Sequence, residues 1–273
     1  MTLPAVADDY ALLDGLRFHY REWPNPGKQA LLLLHGFTGH TRSWDSFAEA
    51  MQPDYHVIAL DQRGHGESAW ADDYSADAMV EDVERFRRAL GLQRFVLLGL
   101  SMGGRNAYHY AAKYPAEVER LIIVDIGPDI ATAGATRIQT GVRAADIFAT
   151  QEEAIERAIA ANPNADPHES RHRTRHNLLR LDDGRWTFRY DKALRGDRTL
   201  PRPDPAAAWA GLKTIKAPTL LIRGEVSDVL APEVAERMVQ EIPDCRFAVV
   251  PGSGHSIPLE RPKGFLEAVR TFL

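Results

Sequence analysis

The chain has 273 residues, 44% hydrophobic and 26% charged, an ordinary globular composition. Its net charge is -5, and it has no long basic tract to serve a nucleic-acid partner. The longest purely apolar run, Ala30 to Leu34, is far too short to cross a membrane.

The N-terminus, MTLPAVADD, shows no basic segment followed by an apolar stretch, so no secretory signal is expected. A single cysteine, Cys245, cannot form an internal disulfide, which fits a cytoplasmic location; it reads as a small buried residue at a strand start. ALLDGLRFHYREW, from Ala11, places Asp14-Gly15 between apolar-rich arms and predicts a hairpin. ALLLLHG (30 to 36) predicts a strand covered on both faces. A short helix near Trp44 to Met51 and a strand from Val57 to Leu60 follow. Residues 74 to 91 carry Val80, Val83, Phe86 and Leu90 at helical spacing behind a Ser75 cap. VLLGLSMGGRNAYHYA (96 to 111) is a strand that breaks at Ser101 into a helix, and LIIVDIG (121 to 127) is another buried strand.

From Pro128 the alternation stops, and no buried-strand pattern recurs until about residue 210. Thr150-Gln151-Glu152-Glu153 forms a capping box, and Asp166-Pro167 starts a second helix. LDDGRWTFRYD predicts a small hairpin, in which Trp186, Phe188 and Tyr190 read as core more readily than as pocket lining. Pro201, Pro203 and Pro205 mark a boundary. Strand (219 to 224), helix (232 to 242), strand (247 to 252) and helix (262 to 273) then resume the earlier rhythm. The pattern predicts an α/β fold, a mainly parallel doubly wound sheet, with residues 1–127 and 211–273 as core and 128–210 as a mostly helical insertion.

Ligands of such sheets sit beyond the carboxyl ends of the strands. Ser101, Asp228 and His255 each follow a separate predicted strand, in that chain order. A serine hydroxyl needs a neighbouring base, an imidazole suits that task, and a carboxylate fixes the imidazole's tautomer. Gly99 and Gly103 permit a tight turn, and Gly104 permits close packing behind it. With HGFTG (35 to 39), DQRGHGES (61 to 68), GLSMGG (99 to 104), RGEVSD (223 to 228) and GSGHSIPLE (252 to 260), the chain resembles the α/β-hydrolase superfamily.

That resemblance implies a Ser101–His255–Asp228 triad, with the backbone N–H groups of Phe37 and Met102 holding the oxyanion. Asp125 is the rival acid, because some members place it there; the RGEVSD segment favours Asp228. His35, and the Asp61, Arg63 and His65 loop, are expected to be structural. The 128–210 insertion is expected to cap Ser101 as in other members. The implied activity is hydrolysis of a small carboxylic ester or lactone, with no cofactor. The stretch 104 to 115 with VDIGP also resembles an amide-cleaving hydrolase, while Leu100 replaces the asparagine that C–C hydrolases often carry before the serine. A non-turnover small-molecule receptor is the alternative of another class.

His168-Glu169-Ser170-Arg171-His172 matches the zinc motif H-E-x-x-H. Arg171, Arg173 and Arg175 oppose a dication there, and no further Glu follows before Glu225, so no metal is expected. Between Pro128 and Gly211, twelve of thirteen cationic residues are arginine. One of these is a candidate to meet a substrate carboxylate, against the plainer reading of solvated arginines on helices.

Overall fold

The computed structural model describes residues 3–144, 146–195 and 204–273. In chain order its elements are β1 (Ala7–Leu13), β2 (Leu16–Trp23), β3 (Ala30–Leu34), α1 (Asp45–Met51), β4 (His56–Leu60), α2 (Ala76–Ala89), β5 (Phe95–Leu100), α3 (Met102–Lys113) and β6 (Val118–Val124). There follow α4 (Thr132–Arg143), α5 (Gln151–Ala161), α6 (Pro167–His176), β7 (Leu178–Arg180), β8 (Trp186–Phe188) and α7 (Pro205–Leu212). The chain ends with β9 (Thr219–Gly224), α8 (Pro232–Glu241), β10 (Cys245–Val250), α9 (Ile257–Glu260) and α10 (Pro262–Phe272).

Eight strands form one sheet in the order β1-β2-β4-β3-β5-β6-β9-β10. The β1–β2 and β2–β4 pairs are antiparallel, and the rest are parallel. The first hairpin turns on Asp14 and Gly15, both at positive φ (48° and 81°), the backbone of a type I′ turn whose twist matches its strands. In β3 the pleat divides one apolar run between two cores. Leu32 and Leu34 join one, packed by α2, α3, α7 and α8, while Leu31 and Leu33 join the other, packed by α1 and α10. All four leucines are fully buried, so truncating any of them to alanine would cost about 2–5 kcal/mol.

Helix starts follow the sequence signals. Ser75 Oγ accepts from Ala78 N–H, Thr150 Oγ1 from Glu153 N–H, and Asp166 Oδ1 from His168 N–H. The segment between β6 and β9 adds no described strand to the main sheet; β7 and β8 pair with each other. Helix α7 crosses the boundary expected at residue 210, since its Ala208, Trp209 and Leu212 belong to the main core. Pro201 and Pro203 lie outside the described residues. Cys245 opens β10 partly buried, and burial pushes its thiol up to about 11. Among the described residues, no helix is long and apolar enough to cross a membrane.

Candidate active site

The carboxyl ends of β3, β5 and β6 and the loop after β10 converge. Ser101 sits between β5 and α3 at φ 54° and ψ −117°, a left-handed backbone that costs a serine about 1–3 kcal/mol. Two hydrogen bonds hold it there: Ser101 N–H donates to Val124 O, and Arg105 N–H donates to Ser101 O, both at 2.9 Å. The surrounding glycines are required by contact. A Cβ on Gly99 would collide with the Gly103 carbonyl, and one on Gly103 with the Leu34 carbonyl.

Ser101 Oγ–H donates to His255 Nε2 at 2.9 Å, and His255 Nδ1–H donates to Asp125 Oδ2 at 2.8 Å. With Nδ1 committed as donor to a carboxylate, Nε2 of the neutral ring is the acceptor that a serine hydroxyl needs. Asp125 is fully buried, at φ 51°, one residue past the end of β6. It also accepts Gly224 N–H at 3.0 Å and Ser227 Oγ–H at 2.5 Å.

Asp228, expected as the acid, is not the carboxylate on His255. Arg137 of α4 takes both its oxygens, Nε on Oδ2 at 2.6 Å and Nη2 on Oδ1 at 2.7 Å. Those bonds hold the Asp228 carboxyl below its usual range. The cause of the correction is local: the loop after β9 turns Ser227 inward to Asp125 and sends its neighbour Asp228 toward α4.

Met102 and Phe37 lie where the sequence placed them, at the first position of α3 and in the loop after β3. A Cβ on Gly36 would stand 3.3 Å from Ser101 Cβ, so the loop passes directly beside the serine. Neither the Met102 nor the Phe37 N–H has a backbone acceptor among the described residues. His35 shapes this loop. Its Nδ1–H donates to Gly36 O at 2.8 Å, and its Nε2 accepts Gln62 N–H at 3.0 Å. Burial pushes its pKa down to about 3, which keeps it neutral. Gln62 in turn donates to His35 O and accepts from Asn106 on α3, joining the loop to the serine's helix.

The Asp61 loop is likewise braced from within. Asp61 accepts Thr41 N–H, Glu67 N–H and His19 Nδ1–H, and Arg63 meets Asp82 with two bonds. Sequence reasoning missed Glu260, on α9, which accepts Gly254 N–H at 2.5 Å and Ser256 N–H at 3.2 Å and so brackets His255. No local pattern marks that contact; its only signal is a carboxylate five residues past the histidine.

Tyr190 and Leu194, from the insertion, pack with Met102, Met79 and Tyr74, and Phe37 and Phe188 lie against them. The hairpin aromatics therefore serve as core and also wall the side of the site next to Met102. Phe188 meets Phe148 edge-on at 5.4 Å and stacks on Tyr190 at 5.8 Å. In the H-E-x-x-H segment, His168 is exposed, His172 Nε2–H donates to Asp45 at 2.9 Å, and Glu169 accepts Ser46 Oγ–H at 2.6 Å. No group of three or more potential metal ligands gathers among the described residues.

A family model described as alpha/beta hydrolase fold matches residues 29–262. An esterase of Mycobacterium tuberculosis is 30% identical over 89% of this chain and 82% of its own. An N-formylmaleamate deformylase of Pseudomonas putida is 28% identical over 98% of this chain and 97% of its own. Among solved structures, E-2-(acetamidomethylene)succinate hydrolase superposes with a TM-score of 0.89 over 98% of this chain and 99% of that one, at 23% identity, a likeness of fold.

Proposed function

This chain belongs to the alpha/beta hydrolase family, and from that premise we propose that it cleaves a small carboxylic ester or lactone through an acyl-enzyme. The observation that carries this reading is the unbroken hydrogen-bonded line Ser101–His255–Asp125, at 2.9 and 2.8 Å. Ser101 Oγ attacks the carbonyl carbon as its proton passes to His255 Nε2. Asp125 holds the ring's tautomer and stabilises the imidazolium. The Met102 and Phe37 N–H groups receive the oxyanion, an interaction that grows as charge develops. His255 returns the proton to the leaving alcohol, then takes one from water, and the resulting hydroxide releases the acid.

The insertion acts as a cap on this site. Tyr190 and Leu194, packed on Met102, support that role by shielding the nucleophile's helix from water. An amide is the second candidate substrate, favoured by the deformylase relative, because the same proton path serves an amine leaving group. A panel of short-chain chromogenic esters, lactones and amides tests the choice, with Ser101→Ala as control. Ester turnover lost in the variant is expected; equal turnover by both chains would sink the serine mechanism, and faster amide cleavage would move the assignment to an amidase.

A further inference from the structure

The loop after β3 turns tightly between Gly36 and Gly39. Gly39 N–H donates to Gly36 O at 2.9 Å, with Phe37 and Thr38 between them. Thr38, and not Phe37, has positive φ, at 61°, which is the pattern of a type II turn. The third position of such a turn suits glycine, and a β-branched residue resists it. Backbone of this kind persists where its surroundings over-determine it.

The surroundings here are supplied by the insertion. Asn177, the residue after α6, is buried, and its Nδ2–H donates to Thr38 O at 2.9 Å from 139 residues away in the chain. A carbonyl only accepts, so the amide nitrogen of Asn177 and not its oxygen faces Thr38. Among the described residues, Thr38 O accepts from Asn177 alone. Asn177 is itself fixed by backbone. Its N–H donates to Thr174 O at 3.0 Å at the end of α6, and its carbonyl accepts Arg189 N–H at 2.9 Å just past β8. Further bonds seat α6 on the residues that follow the loop. His40 Nε2–H donates to Arg173 O at 2.9 Å, His172 Nε2–H to Asp45 at 2.9 Å, and Ser46 Oγ–H to Glu169 at 2.6 Å.

We propose that Asn177 is a positioning residue for the oxyanion loop, so that docking of the insertion sets the direction of the Phe37 N–H. This rests on the serine-hydrolase reading above and deepens it: Asn177 acts through Phe37 and does not touch the reacting atoms. The Thr38 carbonyl and the Phe37 N–H belong to one turn, so tilting the first re-aims the second. A donor displaced from the place where the oxyanion forms loses much of its stabilising effect, because the interaction depends on distance and angle.

Asn177→Leu, similar in size and without a donor, tests this beside Asn177→Asp and Ser46→Ala. The aspartate is isosteric and, when ionised, turns an oxygen onto Thr38 O. Ser46→Ala loosens the same helix at Glu169 and leaves the bond to the loop in place. On a short-chain 4-nitrophenyl ester, both Asn177 variants are expected to lower kcat about tenfold to a hundredfold with KM within about threefold. Ser46→Ala, an exposed change, should stay within about threefold of wild type in both constants. Hydrogen exchange at the Gly39 amide reads the turn without turnover: it should quicken at least about tenfold in both Asn177 variants and stay at the wild-type rate in Ser46→Ala. Should the leucine variant not fold, the isosteric aspartate carries the same expectations. An unchanged kcat, a rise in KM in place of a fall in kcat, wild-type exchange at Gly39, or an equal loss in Ser46→Ala would each overturn the proposal. If wild type cleaves no ester or amide, the hydrolase reading fails, and exchange at Gly39 still decides whether Asn177 holds the loop.

Discussion

Arg137 closes on both carboxylate oxygens of Asp228, at 2.6 and 2.7 Å, and His255 is left to Asp125. Two strand-end aspartates thus have separate partners. One braces α4 against the loop after β9; the other holds the imidazole.

The variants Asp125→Asn and Asp228→Asn should therefore differ sharply. Asp125→Asn is expected to lower kcat by about a thousandfold to ten-thousandfold, the usual result of losing the tautomer-fixing carboxylate. Asp228→Asn should stay within about threefold of wild type, because it breaks only a partly exposed ion pair. Steady-state kinetics on both proteins decides this, and a dead Asp228→Asn beside an active Asp125→Asn would reverse the assignment.

Glu260 should behave as a positioning residue. Glu260→Gln removes one of the two acceptors that bracket His255, and is expected to lower kcat by about tenfold to a hundredfold with KM little changed. A rise in KM at constant kcat would show instead that Glu260 shapes substrate binding.

Acid should weaken this fold through buried histidines that stay neutral in the folded chain. Burial holds His35, His40 and His65 neutral, with pKa values near 3, 3 and 4, against an ordinary value of 6.5. Below pH 6.5 the unfolded chain takes up protons at these rings while the folded chain does not, so stability falls as pH drops from about 6.5 toward 4. Above that window they have no effect. At pH 5 the loss is on the order of 2 kcal/mol for each ring. Urea unfolding at pH 7.5 and 5, repeated on His65→Gln, checks the claim: the variant should lose less between the two pH values than wild type, and identical losses would refute it.

The contrast between the two aspartates also marks how far the sequence could be read. Apolar periodicity revealed the sheet, because a leucine run such as Leu31 to Leu34 has few other ways to be buried. The pairing of Ser101 with His255 was legible because each residue announces itself locally, by glycines forced into contact or by a histidine after a strand. The carboxylate that bonds His255 was not. Asp125 and Asp228 are alike in composition and position, and the choice depends on backbone direction: a positive φ at Asp125, and a loop that points Ser227 rather than Asp228 inward. Glu260 and Arg137 escaped for a related reason, since their contacts come from the packing of a short turn and of helix α4, which buries only Gly134. Helix α7 shows the same limit at a boundary: prolines flagged a change of segment, but only packing showed that its alanines and Trp209 belong to the core.

Ser101 and Asp125 are two of the four described non-glycine residues with positive φ, so two of the three residues in the hydrogen-bonded line Ser101–His255–Asp125 sit in backbone that their side chains resist. The native chain is consequently not the most robust version of itself. Ser101→Gly, inert as a catalyst, should melt about 2–4 °C higher than wild type, as relief of roughly 1 kcal/mol would give. A lower melting temperature would mean that the hydroxyl's bond to His255 outweighs the relief. On this view the strand ends are where a preference for durability and a need for reactivity oppose each other, and this sequence has settled for reactivity.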